Sequence, residues 1–415
     1  MSGPVRLEAG AQAQPAARTQ PFVVMAKPVG SRCNMRCTYC YYLDKGRYSS
    51  HARQTRMRYS LLEKLIRQTI ASSKGPVVSF TWHGGEPTLA GLEFYQHVVA
   101  LQRKYLPQGW TAWNNLQTNG LLLTDKWCRF LKEHRFDVGL SMDGGAYVHD
   151  QNRRDGNGEG TYARVRRAVD RLQAVGIQPD LLCTVNAASL QDPLDVYRSL
   201  RELGTGWMQF IPIVVRRQDG GLTPQSVTAA GYGAFLCTVF DEWIAHDLGA
   251  LDVQLFAETA RVWAGGQASL CWMAPTCGRV LIAEEDGSVY ACDHFVDPAH
   301  RLGNLADTPL EQMANSPQQL AFGDGKRDAL TQQCRRCPWL ACCNGGCPKD
   351  RFGVSEDGEA GHFLLCDGLR RFFAHAHGPM MQAMAWSRQG LTPAQVMARL
   401  KAQHTAGDGA LGPSS

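Results

Sequence analysis

A parallel α/β fold, a partial βα barrel followed by a cysteine-rich second domain, is what this sequence predicts, on three observations. From Val77 to Val215, short apolar runs alternate with amphipathic helical patterns, the order expected of βα units around a parallel sheet. Three loops that follow such runs, after Lys27, Trp82 and Met142, carry motifs rich in cysteine, glycine or acid. In parallel βα folds, ligands gather at the C-terminal ends of the strands, so these loops should converge on one site. After about Gly265 the periodicity fades and nine of the fifteen cysteines follow in Gly/Pro/Asp-rich context, which predicts a second domain organised by metal.

At 415 residues the chain exceeds a single core, so one large domain with a smaller companion is expected. Residues 1–20, rich in Ala, Gln, Gly and Pro without periodicity, read as a disordered leader. The barrel domain is expected over 21–262, with its first strand near Phe22–Lys27. Later strands are expected at Val77–Trp82, Val138–Met142, Leu181–Val185 and Met208–Val214. Helices are expected over Thr161–Val175 and Asp192–Leu203, with Ser60 and Thr161 as N-caps. The cysteine-rich domain spans 263–376, and 377–415 is read as a C-terminal helix whose end frays from His404. A net charge of +5 without a basic tract gives no reason to expect nucleic acid. No run of about 18 apolar residues and no secretory leader is visible, so no membrane partner is expected and the chain is read as cytoplasmic.

Cys33-Asn34-Met35-Arg36-Cys37-Thr38-Tyr39-Cys40 places three thiolates on one short loop, one fewer than a cubane [4Fe–4S] cluster needs. The iron left open can take an amine and a carboxylate, which is how S-adenosylmethionine (SAM) binds before reductive cleavage. A zinc knuckle is the alternative for these cysteines. The motif, with Lys27-Pro28-Val29-Gly30-Ser31-Arg32 before it and Tyr41-Tyr42-Leu43-Asp44-Lys45 after it, resembles the radical SAM superfamily, and within it the anaerobic sulfatase maturases. The resemblance covers nearly all of the chain after Val23 and implies a partial parallel (β/α) radical SAM barrel.

It also implies SAM contacts. Tyr39 would lie by the adenine, or be ordinary core. Gly85 and Glu86 of His83-Gly84-Gly85-Glu86-Pro87 would meet the methionine amino group, the paired glycines allowing close approach. Ser141, at a strand end, and Arg153 would bind the SAM carboxylate, which suits the planar fork of arginine. The alternative for Arg153 is a surface pair with Asp155 or Glu159. Gln117-Thr118-Asn119-Gly120 either lines the same cavity or forms a turn. Two departures from the family are His83, where Gln is common, and Gly145, where Pro usually follows Asp-Gly. The role of His83 stays open between metal ligand and hydrogen-bonding pocket residue.

The later cysteines run Cys271-x5-Cys277-x14-Cys292, then Cys334-x2-Cys337-x5-Cys343-x3-Cys347 and Cys366. This resembles the SPASM iron–sulfur domain. The resemblance implies that Cys271, Cys277, Cys292 and Cys347 hold one auxiliary cluster and Cys334, Cys337, Cys343 and Cys366 a second; spacing alone would group Cys347 with its neighbours. Two four-thiolate zinc sites would use the same ligands. With SAM, three [4Fe–4S] clusters are therefore expected as cofactors. Cys342 is left over, and Cys128, Cys183 and Cys237 read as buried structural thiols. The resemblance makes Asp293, next to Cys292, the general base; the alternative is a carboxylate that hydrogen-bonds backbone amides. The implied activity is oxidation of a Cys or Ser in an unfolded sulfatase to Cα-formylglycine, with an electron donor such as flavodoxin or ferredoxin. A maturase that crosslinks a ribosomally made peptide, or a zinc-dependent binding module, are the competing readings.

Overall fold

The structure is a computed structural model that describes residues 21–48 and 56–408; the expected leader, residues 1–20, lies outside the described residues. Ten strands form one sheet: β1 (Val23–Ala26), β2 (Val77–Trp82), β3 (Thr111–Thr118), β4 (Phe136–Ser141), β5 (Asp180–Val185), β6 (Trp207–Pro212), β7 (Asp252–Val253), β8 (Val280–Ala283), β9 (Ser288–Tyr290) and β10 (Arg301–Asn304). Their order is β10-β9-β8-β1-β2-β3-β4-β5-β6-β7. Every pairing from β8 through β7 is parallel, and β9 and β10 add an antiparallel edge. The apolar runs read from the sequence coincide with β2, β4, β5 and β6 to within two residues at each end.

Helices Tyr59–Ala71, Leu92–Tyr105, Asp125–Glu133, Tyr162–Ala174 and Pro193–Arg201 return the chain between successive strands. Each covers one face of the sheet. Val78, Phe80 and Trp82 of β2 and Leu116, Val138 and Leu140 beside them are buried under these helices. The alternate residues Ser79, Thr81, Asn115, Gln117, Gly139 and Ser141 are half-buried, small or polar, and form the concave inner face.

Local chemistry explains most helix starts. Asp192 accepts from Asp195 N at 2.9 Å with Pro193 in the first turn, and Thr124 caps the helix Asp125–Glu133. Thr161 stands at the N-cap of Tyr162–Ala174 as expected, but its hydroxyl donates to Arg153 O at 2.8 Å instead of capping. Ser60 is not a cap: the first helix begins at Tyr59 behind Arg58, which places Ser60 inside it.

The region after Gly265 is more regular than its sequence suggests. Strand β8 pairs along β1, Val23 with Val280 through Ala26 with Ala283, so the barrel sheet runs across the expected boundary at 262/263. The helix Cys366–Arg388 likewise runs across the boundary at 376/377, and the last helix, Pro393–Asp408, extends beyond His404, where fraying was expected. The long helix lies against Ala229–His246, with Phe372 between Phe240 and Phe256 at ring-centroid distances of 6.0 and 5.4 Å.

Two glycines permit that approach. A Cβ on Gly368 would sit 2.1 Å from Ala229 O, and one on Gly233 would sit 2.7 Å from Gly368 Cα. Gly378 lies in the same helix with nothing within 4 Å of a Cβ. Gly368→Ala is expected to destabilise the protein by about 1–3 kcal/mol through overpacking, whereas Gly378→Ala should be neutral or stabilising by up to about 1 kcal/mol. Chemical denaturation of the two variants checks this, and equal midpoints would refute the packing assignment.

Candidate functional site: a cysteine loop between two buried ion pairs

Three strand ends clamp the loop that carries Cys33, Cys37 and Cys40. From β2, Gly85 N donates to Gly30 O and Glu86 N to Arg32 O, both at 2.8 Å. A Cβ on Gly85 would stand 2.0 Å from Arg32 O, so only glycine allows this approach. From β3, Asn119 Nδ2 donates to Asn34 Oδ1 at 2.8 Å and lies 3.7 Å from Cys33 Sγ. From beyond β4, Asn152 O accepts from Thr38 N at 3.0 Å and Arg154 O from Arg36 N at 2.8 Å. The three thiols are half-buried. Burial pushes Cys33 up to about 11 and Cys37 up to about 12, with Cys40 raising both further and Cys33 adding to Cys37. The thiolates therefore need a positively charged partner. Among the described residues no three His, Cys, Asp or Glu close around a single ion.

Glu86, expected to meet the SAM amino group, is fully buried and held by protein donors. Its Oε1 accepts from Thr88 N (3.0 Å), Thr88 Oγ1 (2.6 Å) and Thr118 Oγ1 (2.7 Å), and its Oε2 accepts from Asn119 N at 2.7 Å. It braces the β2 and β3 ends that hold the cysteine loop. Arg153 is buried, not a surface residue, and Asp155 pairs with Arg164 instead. Arg153 Nε lies 2.9 Å from Asp143 Oδ2, Nη2 donates to Thr184 Oγ1 at 3.0 Å, and the guanidinium stands 5.7 Å over the Tyr39 ring. Asp143 also accepts from Thr184 N at 2.8 Å and from the Tyr39 hydroxyl. Ser141 accepts from Gln117 Nε2 at 3.1 Å on the concave face.

A second ion pair flanks the other side. Lys27, fully buried at the end of β1, places Nζ 2.6 Å from Asp293 Oδ1, 3.3 Å from His83 Nδ1 and 4.1 Å above the Tyr42 ring. The Tyr41 hydroxyl donates to Asp293 and the Tyr42 hydroxyl to Glu284. Burial alone would raise the Asp293 carboxyl, but Lys27, His83 and His294 hold it well below the usual carboxylate range. Burial, with Lys27, pushes His83 down to about 4, and its Nδ1 accepts from Gly84 N at 2.8 Å, so the ring is a neutral hydrogen-bonding group. The partners of Asp293 are thus side chains from β1 and the cysteine loop.

The remaining cysteines separate into two neighbourhoods. Cys292 is raised by burial and by Cys347 and Cys271; Cys277 is likewise raised by burial and by Cys271. Cys347 is pushed up to about 12 by burial, then Asp350 and Cys271. Burial together with Cys334 and Cys337 pushes Cys343 up to about 12, and burial together with Cys343 and Cys334 does the same to Cys366. Three successive left-handed residues, Asn344, Gly345 and Gly346 at φ 46°, 69° and 63°, turn the chain between Cys343 and Cys347. That turn carries Cys347 away from its sequence neighbours toward Cys271 and Cys292. Cys342 is buried in the core.

Sequence reasoning missed Asp143, Asn119 as a brace, and Lys27 as the partner of Asp293. Lys27 and Asn119 stand in the motifs given above and Asp143 directly follows Met142, but only the register of the sheet shows what they reach.

A family model of the radical SAM superfamily matches residues 28–199, and one of the SPASM iron–sulfur cluster-binding domain matches 276–338. The chain is 39% identical to the serine-type anaerobic sulfatase-maturating enzyme of Bacteroides thetaiotaomicron, over 92% of this chain and 96% of that protein. It is 32% identical to the cysteine-type enzyme of Clostridium perfringens (strain 13 / Type A), over 86% and 96% respectively. The solved structure of native anSMEcpe with bound AdoMet and Cp18Cys peptide superposes with a TM-score of 0.79 at 32% identity, covering 87% of this chain and 98% of that one. A parallel barrel with a three-cysteine loop at its strand ends and a SPASM region joined to its sheet accompany these likenesses, and the chain belongs to the anaerobic sulfatase-maturating enzymes of the radical SAM superfamily.

Proposed function

We propose that this protein oxidises a Cys or Ser in a sulfatase peptide to Cα-formylglycine, and that Asp293 is the base that completes the oxidation. The observation that carries the reading is Asp293 itself: an ionised carboxylate paired with Lys27, one residue beyond Cys292 and hydrogen-bonded to Tyr41, one residue beyond Cys40. Cys33, Cys37 and Cys40 would hold the radical cluster. The groupings Cys271, Cys277, Cys292, Cys347 and Cys334, Cys337, Cys343, Cys366 would hold the auxiliary ones. When bound, SAM and its cluster would supply the radical chemistry needed at the substrate Cβ, and the auxiliary clusters an acceptor for the second electron of the two-electron oxidation.

The chain's own residues do the rest. Ser141 and the remaining N–H groups of Arg153 would hold the SAM carboxylate, with Asp143 fixing the guanidinium. Gly85 keeps the backbone close, and Tyr39 would sit by the adenine. Asp293 would take the proton from the substrate Oγ or Sγ as Cβ becomes carbonyl or thiocarbonyl, and Lys27 keeps that carboxylate ionised beforehand. For a Cys substrate, water would then add to the thiocarbonyl and hydrogen sulfide would leave, giving the same aldehyde. Thiolates committed to cluster ligation and a reductive cleavage of SAM would suit a reducing, cytoplasmic setting and an external electron donor such as flavodoxin or ferredoxin.

Anaerobic reconstitution should yield about 12 iron atoms per chain, about four per cubane cluster, and replacing Cys33, Cys37 and Cys40 together by Ala should remove one cluster and all 5′-deoxyadenosine formation. Persistent SAM cleavage in that variant would overturn the radical-site assignment. Arg153→Lys, which keeps a charge opposite Asp143 but loses the planar fork, should weaken SAM binding by about 1.5–3 kcal/mol in calorimetry at unchanged iron content. Normal binding would leave Arg153 as only the partner of Asp143. Asp293→Asn keeps shape and removes basicity. It should still cleave SAM with a Cys or Ser peptide yet form formylglycine about 10²-fold more slowly, read as aldehyde by hydrazine trapping and mass spectrometry. A near-normal aldehyde yield would reject Asp293 as the base.

A further inference from the structure

Between the two later cysteine sets lie two cations that have no carboxylate partner among the described residues. Lys326 is 1% exposed, and its Nζ donates to the carbonyls of Cys271 (2.9 Å), Trp272 (2.8 Å) and Ala274. Arg351 is half-buried. It donates through Nε to Gly345 O at 2.7 Å, through Nη1 to Lys326 O at 2.6 Å and through Nη2 to Asn344 O at 2.8 Å. Backbone dipoles satisfy the donors of both side chains, yet neither charge is neutralised, and the two cations repel each other. Burying an unpaired charge costs several kcal/mol, so proteins rarely do it without a counter-charge close by.

Among the described residues, the negative groups that act most strongly on the two cations are thiolates. Those around Lys326 are Cys277, Cys271 and Cys347; those around Arg351 are Cys334, Cys277, Cys343 and Cys347. Lys326 therefore faces one set, and Arg351 stands between the two.

We propose that Lys326 and Arg351 are the built-in counter-charges of the two auxiliary clusters, Lys326 serving the set of Cys271, Cys277, Cys292 and Cys347, and Arg351 serving both. The proposal rests on the cluster assignment above. A four-thiolate cluster gains one negative charge when it accepts the electron released by the substrate. A fixed cation nearby favours that reduced state, in the way hydrogen bonds and net charge set cluster potentials. The two residues are positioning residues: they touch no substrate, and they raise the tendency of the auxiliary clusters to take the electron. They also make the domain dependent on its clusters, because without thiolate charge Lys326 is left buried and Arg351 half-buried with no counter-charge.

The test compares Lys326→Met, Arg351→Met and Arg351→Lys in the full chain, with iron and sulfide counted first. In EPR-monitored redox titrations of the loaded protein, Lys326→Met should make reduction of one auxiliary cluster about tenfold less favourable, a midpoint lowered by about 59 mV. Arg351→Met should lower both midpoints, and Arg351→Lys, which keeps the charge, should restore them. Midpoints equal to the wild type at full iron content would overturn the proposal. After chelation, the Lys326→Met apoprotein should resist denaturant better than the wild-type apoprotein, because an uncompensated buried cation is gone. This comparison decides the matter even for a variant that loads iron poorly, and an apoprotein of equal or lower stability would overturn the proposal. Wild-type protein holding iron for one cluster alone would instead defeat the cluster assignment itself.

Discussion

Parallel pairing of β8 with β1 fixes the position of every group on the Asp293 side of the site. The ladder runs from Val23 with Val280 to Ala26 with Ala283, and Lys27 N continues it by donating to Ala283 O at 2.8 Å. Lys27 is thereby fixed against the hairpin formed by β8 and β9, and Cys292 and Asp293 follow that hairpin directly. A slip of one residue would turn the Lys27 side chain to the opposite face of the sheet, since side chains alternate along a strand. The sheet that builds the barrel and the loop that delivers Asp293 are therefore a single hydrogen-bonded object, and the β8–β9 hairpin cannot move relative to the barrel without breaking the ladder.

On that frame the cysteine loop is held between two buried ion pairs. Tyr39 and Tyr41 stand on either side of Cys40 in sequence, and each sends its hydroxyl to a different aspartate, Tyr39 to Asp143 and Tyr41 to Asp293. Asp143 is paired with Arg153 and Asp293 with Lys27. Breaking one partner from a buried pair costs about 3–5 kcal/mol, because the survivor keeps its charge without compensation. Each pair thus anchors one side of the loop, and Glu86 braces it from beneath through Thr118 and Asn119. The glycines at 84 and 85 let the β2 end close in, so the loop geometry is imposed by its surroundings.

The parts of this architecture that depend on local pattern were readable in the sequence. The strands β2, β4, β5 and β6 announce themselves as apolar runs, and the helices between them as amphipathic stretches with Asp192 at a start. Cys33, Cys37 and Cys40 carry their spacing with them. The parts that were not readable depend on long-range register. Strands β8, β9 and β10 are three or four residues long, too short to show a period, so the region after Gly265 reads as loop although it extends the sheet. Ser60 has cap chemistry, but the helix starts one residue earlier because Tyr59 packs against the core and draws the turn back. Arg153 next to Arg154 and Asp155 looks like a surface charge cluster; only the fold turns it inward to Asp143. Lys326 sits in Gly325-Lys326-Arg327-Asp328, where nothing distinguishes a buried lysine from its exposed neighbours.

The placement of Asp293 one residue from Cys292 has a mechanistic logic in the reading proposed here. Completing the oxidation requires a proton and an electron to leave the same substrate atom group, and separating them over a distance in a low-dielectric cavity would build up charge at the substrate. A carboxylate adjacent in sequence to a cluster ligand gives both an exit on the same side. Lys27 keeps that carboxylate ionised, which also makes it a weaker base, so proton transfer gains its driving force from the rising acidity of the substrate as the radical loses its electron. Proton and electron are then coupled through the geometry of two neighbouring residues, and the base can stay ionised at rest without stripping protons from substrates that have not yet been attacked.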